Sequence, residues 1–236
     1  MRKGGLIIHI VLFVVFLLCF IFINQGARAK RHYPEKGSLR FYRVSREVDV
    51  YRVYRMLNLK GVTVVHLSNT LGMQEFYPSE ETEPIGYPVP VRDVLPLYEE
   101  GLNSSNFLFI ASRAGMLRRV YNILPPSVFR LMKERLMGEF QYTVKKGRIV
   151  GFVRDIPQVI TMLDRAPVIR EPVVLNIDAG YFIEAQDPMR TVVELIRHFR
   201  DIRAVVFIDS TDRDYVTAQM REKLDIMLQA LKRALL

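Results

Sequence analysis

The chain has 236 residues, half of them hydrophobic, with a formal net charge of +9 and one cysteine. Its length suffices for one domain with a sizeable core beside an N-terminal apolar segment. The positive charge lies at the start, because residues 1–43 carry +7 and residues 44–236 only +2. This distribution argues against nucleic acid as a partner. Cys19 lies in the apolar segment, so the domain can form no disulfide of its own.

An apolar run from Leu6 to Ile23, interrupted only by His9, follows a short basic N-terminus of residues 1–5. As a helix it would be roughly 27 Å long, close to the thickness of a bilayer core. We predict a transmembrane helix over residues 6–24, with the lipid bilayer as its partner. Its flanks are basic: Arg2, Lys3, Arg28, Lys30 and Arg31.

A permanent signal anchor is favoured over cleavage after Ala29, because the run exceeds a signal-peptide core and Lys30 and Arg31 follow it directly. The basic flank after the run favours a cytoplasmic domain. A short N-terminus before a long domain favours the opposite side, and we expect an extracytoplasmic domain. Residues 25–46 are polar and basic, which predicts a juxtamembrane linker before a single domain over residues 47–236.

Short apolar runs alternate with helical patterns along this domain, as in a parallel sheet buried on both faces. The predicted strands are residues 62–67, 107–110, 120–124, 173–177 and 204–208. Helices are predicted from Pro126 to about Met137, from Pro188 after the cap Asp187, and from about Asp212 to the C-terminus. The sequence therefore predicts an α/β fold, with a mainly parallel sheet and helices on both faces.

Two further segments interrupt the alternation. Residues 140–144 and 149–153, joined around Lys146 and Gly147, predict a β-hairpin insertion near 139–154. Residues 77–90 contain four prolines and three glutamates. This composition is typical of a solvated irregular loop, with a lid over a site as the alternative.

Ligands of such sheets bind at the carboxyl ends of the strands. These ends contain His66, Asp178, Asp209 and Asp212, which are the candidate catalytic residues. Each also has a structural interpretation. His66 fits a buried strand end, Asp178 fits a cap of the following turn with Gly180 at positive φ, and the residues around Asp209 fit helix capping.

In pattern and order the chain resembles the arginase and deacetylase superfamily, in particular an uncharacterised arginase-like branch. The resemblance runs from Lys60 to Phe182 and weakly onward. The passages that carry it are Val64–Met73, Asn106–Ala111 with Gly115 and Val120–Tyr121, and Val174–Phe182. It implies a three-layer sandwich and, in active members, metal held by carboxylates and histidines.

The metal ligands of that family are largely missing here. Where the family has Asp-x-His-x-Asp, this chain has Ser68, Thr70 and Gly72. Where it has Asp-x-Asp, Asp178 remains and Gly180 replaces its partner. One carboxylate does not make a two-metal site, so the resemblance implies a degenerate member with no cofactor, and Asp178 is the residual candidate for a metal ligand.

Three functions follow as hypotheses. The first is a membrane-anchored, catalytically degenerate arginase-like domain that binds a ligand or protein. The second is a metal-dependent hydrolase of C–N bonds with an atypical ligand set, which would require a divalent metal. The third is a structural component of a membrane protein assembly.

Overall fold

The computed structural model describes residues 31–35, 39–75, 99–139, 141–184 and 186–236. Within these residues, eight strands form one sheet. The strands are β1 Arg40–Val44, β2 Val62–Leu67, β3 Leu117–Ile123, β4 Tyr142–Lys145, β5 Arg148–Val153, β6 Ile156–Thr161, β7 Ile169–Asp178 and β8 Phe199–Ile208. Their order is β1-β8-β7-β2-β3-β6-β5-β4. The first six strands of this spatial order, which ends for them at β6, run parallel to one another. Strand β5 pairs antiparallel with β6, and β4 pairs antiparallel with β5.

The helices are α1 Glu47–Met56, α2 Phe107–Arg113, α3 Pro126–Leu136, α4 Pro188–His198 and α5 Ala218–Leu235, with 3₁₀ turns at Leu163–Arg165 and Ala179–Ile183. Alternate residues of the central strands enter different cores. Val64 and Val174 pack in the core that includes α1 and α2. Val65 and Leu175 pack in the core that includes α4 and α5. Helices therefore cover both faces, which confirms the predicted α/β fold with a mainly parallel sheet.

Most predicted elements are confirmed. Strand β2 has the predicted limits, and β7 and β8 extend the predicted runs. Strand β3 begins three residues before its predicted run and ends one residue before the end of that run. The hairpin insertion is β4 with β5, which pair around Lys146 and Gly147. Helix α4 begins at Pro188, where the Asp187 side chain accepts a hydrogen bond from the Met189 amide at 2.8 Å.

The strand predicted over residues 107–110 is wrong, because these residues begin α2. Six of the seven residues of α2 are buried. A helix enclosed on all sides gives the same continuous apolar run as a buried strand, so periodicity could not separate the two. The amides of Leu108 and Phe109 both donate to the carbonyl of Gly72.

Two predicted boundaries also change. Arg40–Val44, inside the predicted linker of residues 25–46, forms β1 and pairs with β8. As an edge strand it is only partly buried, which explains its polar composition. The last helix begins at Ala218 rather than near Asp212, and Thr217 caps it by accepting from the Met220 amide at 3.3 Å. Residues 32–236 form one compact unit, so the domain begins before residue 47.

The predicted transmembrane helix, its flanking residues before Arg31 and the loop over residues 77–90 lie outside the described residues. Among the helices that are described, none is long and apolar enough to cross a bilayer.

The sheet reverses its winding between β2 and β7. The chain passes from β2 to β3 on one side, and from β7 to β8 on the other. Such a switch point leaves a crevice at the carboxyl ends of the two strands, where open α/β sheets bind their ligands.

Candidate functional site

Polar side chains meet at this switch point. We name as the switch-point cluster Glu47, His66, Ser68, Thr70, Asp178, Ser210 and Arg213. Helix α1 contributes Glu47 in its first turn, and the ends of β2, β7 and β8 contribute the others. Parallel strands place their carboxyl ends at one edge, which brings together residues far apart in sequence.

Glu47 is the centre of the cluster, with 1% of its surface exposed. Its Oε1 accepts hydrogen bonds from the hydroxyls of Thr70 at 2.8 Å and Ser68 at 3.2 Å. Its Oε2 accepts from the Arg213 guanidinium at 3.0 Å. Burial alone would raise the pKa of Glu47, but His66, Thr70 and Arg213 together lower it below its ordinary value. Glu47 is therefore an ionised, fully paired carboxylate.

Asp178 is also 1% exposed, and both its oxygens are occupied. Oδ1 accepts a hydrogen bond from the Gly180 amide, and Oδ2 is hydrogen-bonded to the Ser210 hydroxyl. Burial and the nearby negative charge of Glu47 raise the pKa of Asp178 well above its usual range. Asp178 thus caps the 3₁₀ turn that follows β7, which confirms the structural interpretation of this residue.

Gly180 is required for a reason that the sequence did not reveal. The expected positive φ is wrong, because Gly180 is not among the positive-φ glycines. A Cβ at this position would lie 2.6 Å from both Asn69 Oδ1 and Asp178 Oδ1. Since real Cβ atoms do not approach so closely, any side chain here would displace Asn69 or Asp178.

His66 is fully buried at the end of β2 and packs edge-on against Phe107, with ring centroids 5.4 Å apart. Its Nε2 lies 3.7 Å from Glu47 Oε1, which is longer than a hydrogen bond. Neither ring nitrogen has a hydrogen-bond partner in the described part of the chain. His66 is thus a buried strand-end histidine that no bulk solvent reaches.

Asp209 and Asp212 do not join the cluster. Asp209 forms an ion pair with Arg43 at 2.8 Å, and its amide donates to the Val44 carbonyl. Asp212 is exposed and accepts a hydrogen bond from the Ser104 hydroxyl at 2.9 Å. Of the four predicted catalytic residues, the structure therefore brings only His66 and Asp178 together.

The sequence does not predict Glu47 and Arg213 as site residues. The polar composition of β1 is that of a linker, so the sequence gives no sign that a strand ends just before Glu47. An acidic residue in the first turn before the buried Val50 and Tyr54 was the available signal. Arg213 had no such signal, since it lies in a loop among aspartates.

The Glu47 carboxylate of the cluster is paired with the Arg213 guanidinium, and the pKa of the Asp178 carboxyl group beside them is raised. Among the residues described, no group of three or more histidine, cysteine, aspartate or glutamate side chains is arranged to hold a metal ion. A comparison with protein-family models found no match, and a comparison with curated proteins found no similar sequence.

Proposed function

We propose that the chain is a membrane-anchored, arginase-like α/β domain that has lost catalysis and acts by binding a ligand or a protein at the membrane. One observation carries the loss of catalysis. All four carboxylate oxygens of Glu47 and Asp178 are hydrogen-bonded within the chain itself. Both carboxylates therefore use each of their oxygens within the fold rather than presenting them to a substrate.

Accessibility supports the same conclusion. A general acid or base must come within hydrogen-bond reach of a substrate atom. Glu47, His66 and Asp178 are all at least 99% buried, beneath side chains of their own domain. These groups therefore stabilise the carboxyl edge of the sheet.

The resemblance supports a degenerate site. Ser68 and Thr70, at positions where the family has metal ligands, donate hydrogen bonds to Glu47. At position 180, where the family has its second aspartate, the backbone approaches Asn69 so closely that no side chain fits. Restoring an aspartate there would require Asn69 to move.

The second candidate is a metal-dependent hydrolase of C–N bonds. The observation that favours it is the proximity of His66, with two unpartnered ring nitrogens, to the buried carboxylate Glu47. In that case a divalent metal would replace the hydrogen bonds that now occupy Glu47 and Asp178.

Metal content separates the two candidates. The full-length chain, purified in detergent, would be assayed for bound zinc and manganese and then for a change in thermal midpoint when each metal is added. The degenerate domain predicts neither bound metal nor stabilisation. Stoichiometric metal that is lost in Asp178→Asn but kept in the exposed control Asp164→Asn would establish the hydrolase instead.

A further inference from the structure

The opposite end of the sheet has a different character. We name as the amino edge the starts of the parallel strands and the turns that precede them. Four basic residues of this edge are exposed, and none forms an ion pair with a carboxylate of the described chain: Arg40, Lys60, Arg170 and Arg200. The amino edge therefore has free positive charge.

Three carboxylates of the amino edge are paired with arginines: Asp155 with Arg113, Glu171 with Arg118 and Asp201 with Arg203. Further acidic residues follow the parallel strands at the other end, namely Asp164, Glu184, Asp187, Asp209, Asp212 and Asp214. The four exposed basic residues without an ion pair therefore give the amino edge an excess of positive charge. A surface with an excess of one sign of charge attracts partners of the opposite sign.

Two exposed apolar side chains lie at the same amino edge. Met56 ends α1 before β2 and is 64% exposed, and Val168 precedes β7 and is 53% exposed. Other apolar side chains, among them Ile183 and Met189, are exposed elsewhere on the described surface. At the amino edge Met56 and Val168 lie among basic residues, an arrangement that suits a surface entering a lipid interface.

The chain also enters the domain at this edge. His32 pairs with Lys60 through hydrogen bonds in both directions, of 2.9 and 3.2 Å, directly before β2. The predicted transmembrane helix ends at residue 24, eight residues before His32. A link of eight residues spans at most about 29 Å, which would keep the amino edge near a bilayer that the predicted helix spans.

We propose that the amino edge docks on a bilayer surface rich in anionic phospholipid, with the basic residues binding headgroup phosphates and Met56 and Val168 entering the interface. This inference rests on the membrane anchor of the proposed function. Arginine binds phosphate through its planar fork, which suits it to this role. A lipid surface accounts for the apolar residues and the point of chain entry, which binding to nucleic acid would not require.

The test measures which edge faces the lipid. The full-length chain with Cys19→Ser would carry a fluorophore at Val168→Cys on the amino edge or at Thr211→Cys on the carboxyl edge. In nanodiscs containing headgroup spin-labelled lipid, quenching is expected at position 168 and little at position 211. Quenching at 168 should fall sharply in discs without phosphatidylglycerol or at high salt, because salt screens exposed charges.

Matched charge variants test the residues. Replacing Arg40, Lys60, Arg170 and Arg200 by glutamate should abolish the quenching at 168. The same replacement at Arg130, Lys145, Lys146 and Arg165, which are away from the amino edge, should leave most of it. Equal quenching at both label positions, or quenching independent of lipid charge, would overturn the proposal. The lipid and salt measurements keep all four basic residues of the amino edge, so they test the proposal even where the charge-reversed chain does not fold.

Failure of the anchor would be recognised separately. A chain that does not remain with the discs lacks the proposed anchor, and its amino edge would then be tested by flotation with vesicles. Binding to vesicles with phosphatidylglycerol but not to neutral ones would still support the docking surface. No binding to either, or tighter binding to a short DNA duplex, would refute it.

Discussion

The two ends of the same parallel strands use polar residues in opposite ways. At the carboxyl end, Glu47 and Asp178 are buried and fully hydrogen-bonded within the chain. At the amino end, Arg170 and Arg200 are exposed and form no ion pair within the described residues. The difference indicates that the polar groups at the carboxyl end stabilise the fold, whereas the basic groups at the amino end remain free to bind a partner.

The largest effect is expected from Glu47→Ala at the carboxyl end. The change leaves the Arg213 guanidinium and two hydroxyls without their acceptor, and breaking a buried ion pair costs about 3 kcal/mol or more. Urea unfolding would measure the loss. Glu222→Ala on the exposed side of α5 is the control and should change little.

The pH dependence of this loss has a definite sign. The pKa of Glu47 is lower in the folded chain than in the unfolded chain. The ionised carboxylate therefore stabilises the fold at a pH above the unfolded pKa, and this stabilisation is lost as the pH falls through the folded pKa. The difference in unfolding free energy between the native chain and Glu47→Ala should therefore narrow in acid. A difference that stays constant down to low pH would contradict an ionised Glu47.

How far the sequence predicts this contrast depends on burial. Strand β2 was predictable to the residue because buried parallel strands give continuous apolar runs. The partly exposed edge strand β1 has no such run. The buried helix α2 also has a continuous apolar run, because it is enclosed on all sides and not because it is a strand. His66 and Asp178 were found because they end buried strands, whereas Glu47 depends on recognising β1.

The alternation of side chains explains why Asp209 lies apart from the switch-point cluster. Asp178 lies opposite Ile208, so Asp209 is one residue beyond the paired position. Its side chain contacts Arg43 of the edge strand instead of the switch point. The next residue, Ser210, has a positive φ and is the one that reaches Asp178. A sequence pattern alone does not reveal such a turn.

A smaller effect is expected from Gly180→Ala, which tests how tightly the carboxyl end is packed. The added Cβ would contact Asn69 and Asp178 at 2.6 Å, and forcing an atom into packed surroundings typically costs about 1–3 kcal/mol. Gly138→Ala is the matched control, because a Cβ there meets nothing within 4 Å. Equal unfolding midpoints for the two variants would show that the cluster can relax around a side chain.

The smallest effect on stability is expected at the amino end. Replacing Arg170 and Arg200 by glutamine removes exposed charge that forms no ion pair within the described residues, so the unfolding free energy should change by no more than about 0.5 kcal/mol. Removing these like charges also relieves mutual repulsion, and a slight stabilisation at low salt would be consistent with this. Urea unfolding of the full-length chain in detergent at low and high salt would measure both effects. A loss of unfolding free energy comparable to that of Glu47→Ala would mean that Arg170 and Arg200 stabilise the fold. The contrast between the two ends of the sheet would then be wrong.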